Sequence, residues 1–468
     1  MRTISRVTIA LLLLTCLTQG SDTFAQRQLE EVIYSKTSSL ASSANNDDKK
    51  KSMPQARIDK LRKSGNVGTC DLGTASEDLD GNNVRARLFN NGGLFWNGSG
   101  NVYTVPKTGF ANSIFASGIW IAGLTTAGDI NTYRFAGTTY GPWEFWPGPL
   151  DANGNPPADC SVYDRIFKVT RTDLQEFAAS GTATADMTDW PADLGAPFVD
   201  ANEDGVYNLG DGDLPEVIGE QTAWWVMNDA GNVKGDSQSD PIGLEIQVTA
   251  FGFRTADDLN NTTFYKYKMI HKGDADLYDA YFGIWSDPDL GDASDDFVGA
   301  DTTLGLGFVY NGDDNDGGAD GYGDRPPALG YDFFQGPLVN DDGIDNDKDG
   351  EIDEDNERIG MTRFVYYNND SSVLGNPSLD TQEGYNYLRG RWRDGSFMTE
   401  GGNGFGGTTP TNYIFPGDPV TQSYWSEENT DGAGARNTPA DRRFLLSAGP
   451  FTLKRGSVQE IVYGVVWA

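Results

Sequence analysis

Between Asp287 and Glu357 the chain places 19 Asp and three Glu against only Arg325 and Lys348, a net charge of −20 in 71 residues. Carboxylates at that density repel one another, so a folded chain must leave them in water or neutralise them with cations. Aspartate dominates throughout: residues 66–468 hold 48 Asp but only 15 Glu. Asp suits tight loops and metal cages, whereas Glu suits helix surfaces. The acidity does not signal a disordered chain, because 11 Trp, 20 Tyr and 24 Phe supply material for a core. Of the formal charge of −34 on 468 residues, residues 66–468 carry −39, since the preceding 65 are basic. That sign excludes recognition of nucleic acid through phosphate contacts. A single histidine, His271, excludes a multi-histidine zinc or di-iron centre.

The spacing of the acids points to cations. In one twelve-residue loop Asp200, Asn202, Asp204, Asn208 and Asp211 stand at positions 1, 3, 5, 9 and 12. Gly205 occupies position 6, where a sharp turn is needed, and Val206 at 7 offers its backbone carbonyl. These offsets wrap a chain around one hard cation, and the pattern resembles dockerin-type calcium loops. A second loop has Asp345, Asp347, Asp349, Gly350, Glu351 and Asp353 in the same register, with Asn356 at position 12 and Glu357 one residue later. Upstream, Asn340, Asp342 and Gly343 fit an overlapping register, as in thrombospondin-type calcium repeats. Two further clusters keep no clean loop spacing. One is Asp287, Asp289 and Asp292 with Asp295 and Asp296; the other is Asp313, Asp314, Asn315 and Asp316 with Asp320 and Asp324. Flanking Pro197, Pro215 and Pro337 argue against paired EF-hand helices, so static structural loops are expected. Two or more structural Ca2+ ions are the expected cofactors.

The N-terminus carries Arg2 and Arg6 followed by an apolar run, Val7 to Leu17, and small residues at Thr23 and Ala25. This predicts a signal peptide over 1–25, cleaved before Gln26, and hence a secreted chain. No later segment is apolar enough for a transmembrane helix. Residues 26–66 read as a disordered, Ser/Asn/Lys-rich linker with one weak helix near Gln55–Lys63. Cys70 and Cys160 remain after the signal, and outside the cytoplasm a pair is expected to be bridged.

Runs rich in β-branched and aromatic residues recur between Gly/Asp-rich joints. They include Gly118–Leu124, Ala223–Met227, Leu244–Arg254, Thr262–His271, Tyr278–Trp285, Met361–Tyr367, and a hairpin of Phe444–Leu453 with Val458–Trp467. One short helix is expected, with Thr172 as its N-cap. The expected class is all-β: antiparallel β-sandwich domains with long Asp/Gly-rich calcium-binding loops and few short helices. Two such domains are expected. The first spans 67–235 and includes the first loop; the second spans 236–468, with an acidic calcium-binding insertion at 287–357.

Ten stretches together carry a resemblance. They are NNVRARLFNNGGLFWN, SIFASGIWIAGL, FWPGPLD, APFVDANEDGVYN, WWVMND, FYKYKMIHKG, WSDPDLGD, GYDFFQGP, TNYIFPGDPV and RRFLLSAGPFTLKRGSVQEIVYGVVWA. From Asn82 to Ala468 the chain resembles a family of secreted surface proteins of Bacteroidetes-type bacteria, often exported by the type IX system. The resemblance implies a cell-surface or extracellular role. Members of that family usually continue into further modules and a C-terminal sorting domain, so this sequence is expected to be a fragment or to use another export route.

Two functions from different classes follow. The first is a calcium-stabilised, structural or adhesive surface protein without catalysis, whose partners are surface or matrix components, polysaccharide among them. The alternative is a carbohydrate-active protein: a glycan-binding module, or a glycoside hydrolase with paired carboxylates. Trp143, Trp146, Trp224, Trp225 and Trp392 are candidate sugar-stacking residues, although core packing is the commoner use of such side chains. His271 lies within a strand pattern and is expected to be structural, and no GxSxG is present.

Overall fold

The computed structural model describes residues 55–63, 67–96, 98, 100–340, 342–346 and 350–468. The expected signal peptide, the linker up to residue 54, and Asp347 and Asp349 of the second loop lie outside the described residues.

Two nine-stranded sheets carry the fold, the first with Tyr103–Thr104 and Tyr133–Gly137, and the second with Phe167–Thr170, paired beside the main row of strands. The first runs in the order Ser76–Leu79, Arg85–Phe89, Gly93–Leu94, Ala116–Leu124, Leu277–Asp287, Arg442–Leu453 and Arg363–Asn368. The second runs Asp296–Asp301, Leu306–Asn311, Ala328–Gln335, Val458–Trp467, Thr262–His271, Leu244–Gly252, Gln221–Asn228 and Trp146–Pro147. Neighbouring strands pair antiparallel, as the alternating sequence patterns require.

Period-2 alternation decides which side chains enter the core. On Gln221–Asn228, Ala223, Trp225 and Met227 join the main core, while Trp224 and Val226 pack into a smaller cluster on the opposite face. Leu244, Ile246, Val248 and Ala250 alternate with Glu245, Gln247 and Thr249 in the same way. The two sheets face each other through these inner rows. The Tyr267 and Phe282 rings lie 6.2 Å apart and those of Tyr331 and Phe444 5.5 Å apart, one partner from each sheet. Ser286 Oγ also donates to Tyr331 across the gap at 3.0 Å. The outer face of the first sheet is covered by the segment after Asn368, whose Tyr385, Tyr387, Leu388 and Trp392 are buried in the same core.

The all-β expectation holds, but the division at 235/236 falls inside both sheets. Ala116–Leu124 pairs with Leu277–Asp287, and Gln221–Asn228 pairs with Leu244–Gly252. Strands from either half complete a single sandwich, because neither half supplies enough strands to cover the other's apolar rows. The stretch 287–357 is likewise more than an insertion. Asp296–Asp301, Leu306–Asn311 and Ala328–Gln335 are strands of the second sheet, and most of the acids fall in the segments before, between and after them.

Cys70 and Cys160 are disulfide-bonded and buried beside Trp146. The helix expected at Thr172 spans Arg171–Ser180 and is capped two residues earlier. Thr170 Oγ1 accepts from Asp173 N at 3.1 Å, and the Asp173 carboxylate accepts from Thr170 N at 2.7 Å. This reciprocal box satisfies two end donors, which Thr172 could not do from inside the turn. The weak helix Gln55–Lys63 is present, with Arg57 2.9 Å from Asp240.

Candidate metal centre

Loop 200–211 projects from a small hairpin in which Phe198–Val199 pairs with Leu214–Pro215. Gly205, at φ +78°, donates its N–H to Asp200 at 2.7 Å. Asp204 N donates to Asp200 and to Asn202, and Val206 N to Asp204. Asn208 Nδ2 donates to Asp211 at 2.6 Å. Asp213, which the spacing did not single out, is fully buried and accepts from Ala201 N and Asn208 N at 2.8 Å each. It closes the loop through the backbone, whereas the exposed Asp211 was expected to close it through an ion.

The second loop repeats the first device. Gly350, at φ +103°, donates to Asp345 at 3.1 Å, the same five-residue step as Gly205 to Asp200. Asp353 accepts from Asp342 N at 2.9 Å and from Gly343 N at 3.0 Å. Asn356, expected at the closing position, is exposed, as is Glu351. Glu357 is buried instead and accepts from the backbone N–H groups of Asn346 and Asp353. The one-residue offset matters because it turns Glu357 inward, where it braces both halves of the loop.

Among the described residues, one group of three carboxylates brings an oxygen from each within 4.8 Å of the others: Asp287, Asp289 and Asp441. Asp200, Asp204 and Asp211 are not drawn that close. Asp287 ends the strand Leu277–Asp287 and is fully buried. Its Oδ2 accepts from Arg443 Nη2 at 2.9 Å and from the Tyr140 hydroxyl at 2.7 Å. Burial pushes its pKa up to about 6, against the opposing pull of Arg443. Asp289 is raised well above the usual range by burial and then by the Asp287 charge. Asp441 is held by Arg443 and by Asn369 Nδ2 at 3.0 Å.

Asp292, expected beside Asp287 and Asp289, belongs elsewhere. Its N–H donates to Asp316 Oδ1 at 2.9 Å, and Asp316 also accepts from Tyr322 N at 2.7 Å. Asp295 is pushed up to about 6 by burial and by the neighbouring Asp316 and Asp292 charges. Asp296, fully buried, accepts from Leu290 N at 3.1 Å. The two irregular clusters of the sequence thus hold buried acids in Asp287, Asp296 and Asp316, while most acids of the regular loops lie at the surface, with Glu357 the buried exception. Asp441 gave no local signal: it stands alone before a strand, in PADRRF.

A polar cleft of about 480 Å³ lies beside this group, lined in part by Asn368, Asn369, Asp370, Asn403, Asn437 and Asp441. Trp146, Trp224, Trp225 and Trp392 are buried and offer no ring to a sugar; Trp143 is 40% exposed. His271 is buried, with Nδ1 3.1 Å from Lys454 O and Nε2 3.3 Å from Ile242 O. Those carbonyl contacts account for it as a structural residue. No helix among the described residues is long and apolar enough to cross a membrane. No family model matches the chain, and no curated protein matches it.

Proposed function

We propose that this is a secreted, calcium-stabilised surface or extracellular protein with a structural or adhesive role and no catalysis of its own. The carrying observation is the shared wrap of two loops far apart in sequence, in which Gly205 binds back to Asp200 and Gly350 to Asp345. Each bond closes a tight turn, and such a turn is what lets alternating oxygens face one ion. The disulfide, the signal-like N-terminus and the resemblance to secreted surface proteins support an extracellular setting. Extracellular sites bind calcium at roughly 10⁻⁴–10⁻³ M. At millimolar calcium each would then contribute on the order of 1 kcal/mol. Thermal unfolding in calcium and in chelator tests this reading; an identical melting temperature would sink it.

A glycan-binding module is the second reading, favoured by the amide-lined cleft with Asp370 and Asp441 on its wall. A glycan array with calcium present tests binding, and polysaccharide hydrolysis assays test turnover. Turnover abolished by a single carboxylate substitution would replace the structural reading with an enzymatic one.

A further inference from the structure

We propose that Asp287, Asp289 and Asp441 form a divalent-cation site, suited to calcium, where the strand Leu277–Asp287 ends beside the start of Arg442–Leu453. The site deepens the calcium reading above and rests on it only for the identity of the ion.

Geometry comes first. Oxygens bound to one calcium at 2.3–2.6 Å lie at most about 5 Å apart. The three carboxylates meet that limit, with one oxygen each inside 4.8 Å. Next, Asp287 is fully buried, yet its Oδ1 meets no N–H or hydroxyl donor among the described residues, the Asp289 carboxyl being its further side-chain partner, and the buried Oδ1 of Asp289 likewise lacks such a donor. A buried carboxylate oxygen without a donor is costly, and a cation is the group that removes the cost. Charge agrees: three carboxylates and the Arg443 guanidinium leave −2, which one divalent ion cancels. The donors are all oxygen, the set that hard cations prefer.

Two features prepare the site. Asp289 holds φ at +41°, a left-handed conformation uncommon for a side chain other than Gly. Strain of this kind persists where surrounding structure enforces it, and it is enriched at ligand clamps. Arg443 and Asn369 orient Asp441, which also lines the polar cleft and so gives an ion a way in from solvent. A proton shared by Asp287 and Asp289 is the competing means of relieving the same repulsion.

The test uses the purified full chain carrying Asp200→Asn and Asp345→Asn, which removes the first ligand of each surface loop. Terbium(III) serves as the probe, excited through tryptophan, because Trp285 lies two residues from Asp287 and 5.2 Å from the ring of Tyr140. Sensitised emission that calcium displaces, and that falls at least tenfold with Asp289→Asn or Asp441→Asn, is the expected result. No emission in the loop variant, or emission unchanged by both site substitutions, would overturn the site. If the site variants fail to fold, the loop variant's own melting temperature decides: a calcium-dependent rise upholds the site, and none overturns it. Wild-type calcium dependence that vanishes in the loop variant keeps the loop reading and removes this site. Wild-type protein that binds no calcium removes both.

Discussion

The loops at 200–211 and 342–357 and the group around Asp287 are all built from aspartate, but they use it in opposite ways. In the loops the carboxylates turn back on their own backbone: Asp200, Asp204, Asp342, Asp345 and Asp353 all accept N–H groups of their own loop. At Asp287 the acids come from separate strand ends, and buried oxygens are left without donors. Regular spacing along the chain therefore produces surface turns whose carboxylates mostly cap their own backbone, although Asp345 Oδ1 is also left without a donor. Convergence in space produces the larger electrostatic demand.

Arg443→Ala is the sharpest way to break this contrast. It leaves Asp287 and Asp441 unpaired, and losing one partner of a buried pair costs about 3–5 kcal/mol. By urea denaturation in chelator the variant should lose most of that, while Arg165→Ala, which removes part-exposed bridges to Asp186 and Asp189, should lose under about 1 kcal/mol. Equal losses would erase the distinction.

Two glycines separate backbone strain from packing. Gly205 and Gly291 share φ +78°, but a Cβ on Gly205 meets nothing within 4 Å, whereas on Gly291 it falls 1.9 Å from Asp316 Oδ2. Gly205→Ala should cost about 1–2 kcal/mol from the left-handed backbone alone. Gly291→Ala should cost clearly more, since Asp316 is buried and already fastened to two N–H groups. Chemical denaturation of both variants measures the difference.

Asp200→Ala and Asp345→Ala should each lower stability by about 1 kcal/mol in millimolar calcium and by less in chelator. A loss of the same size in both conditions would mean that the carboxylates serve only as turn caps.

The smallest effect concerns pH. Asp332, on the strand Ala328–Gln335, is pushed up to about 7 by burial and by the nearby Asp301 charge. Its folded pKa exceeds the unfolded one, so its contribution is full below about pH 4 and is lost as pH rises through about 7. Asp332→Asn should therefore flatten the fall in melting temperature between pH 5 and pH 8 by a degree or two. An unchanged pH slope would contradict this.

Much of the fold was legible because its causes are local. Alternation in Leu244–Arg254 and Thr262–His271 is a property of neighbouring residues; the second strand appears where the pattern placed it, and the first ends two residues early, at Gly252. The Asp–Gly turns at Gly205 and Gly350 were legible for the same reason. The strands Asp296–Asp301 and Leu306–Asn311 were obscured by the surrounding acids: the first is buried on both faces and shows no alternation, and in the second the neighbouring charge outweighed a real one. Thr172 was misjudged as a cap because the reciprocal partner of Thr170, Asp173, lies inside the same short motif.

What the sequence determined by itself is the class of protein: β-rich, acidic, with one bridgeable cysteine pair and two turns of cation-loop spacing. Only the tertiary structure decided that the halves share both sheets, and that Asp441 meets Asp287 and Asp289. The reason is register. Ser286 pairs with Phe444, so the next residues bring Asp287 to Arg443 and Arg443 to Asp441. A cross-strand partner depends on how two distant segments align, and no window of sequence short enough to show a period contains both.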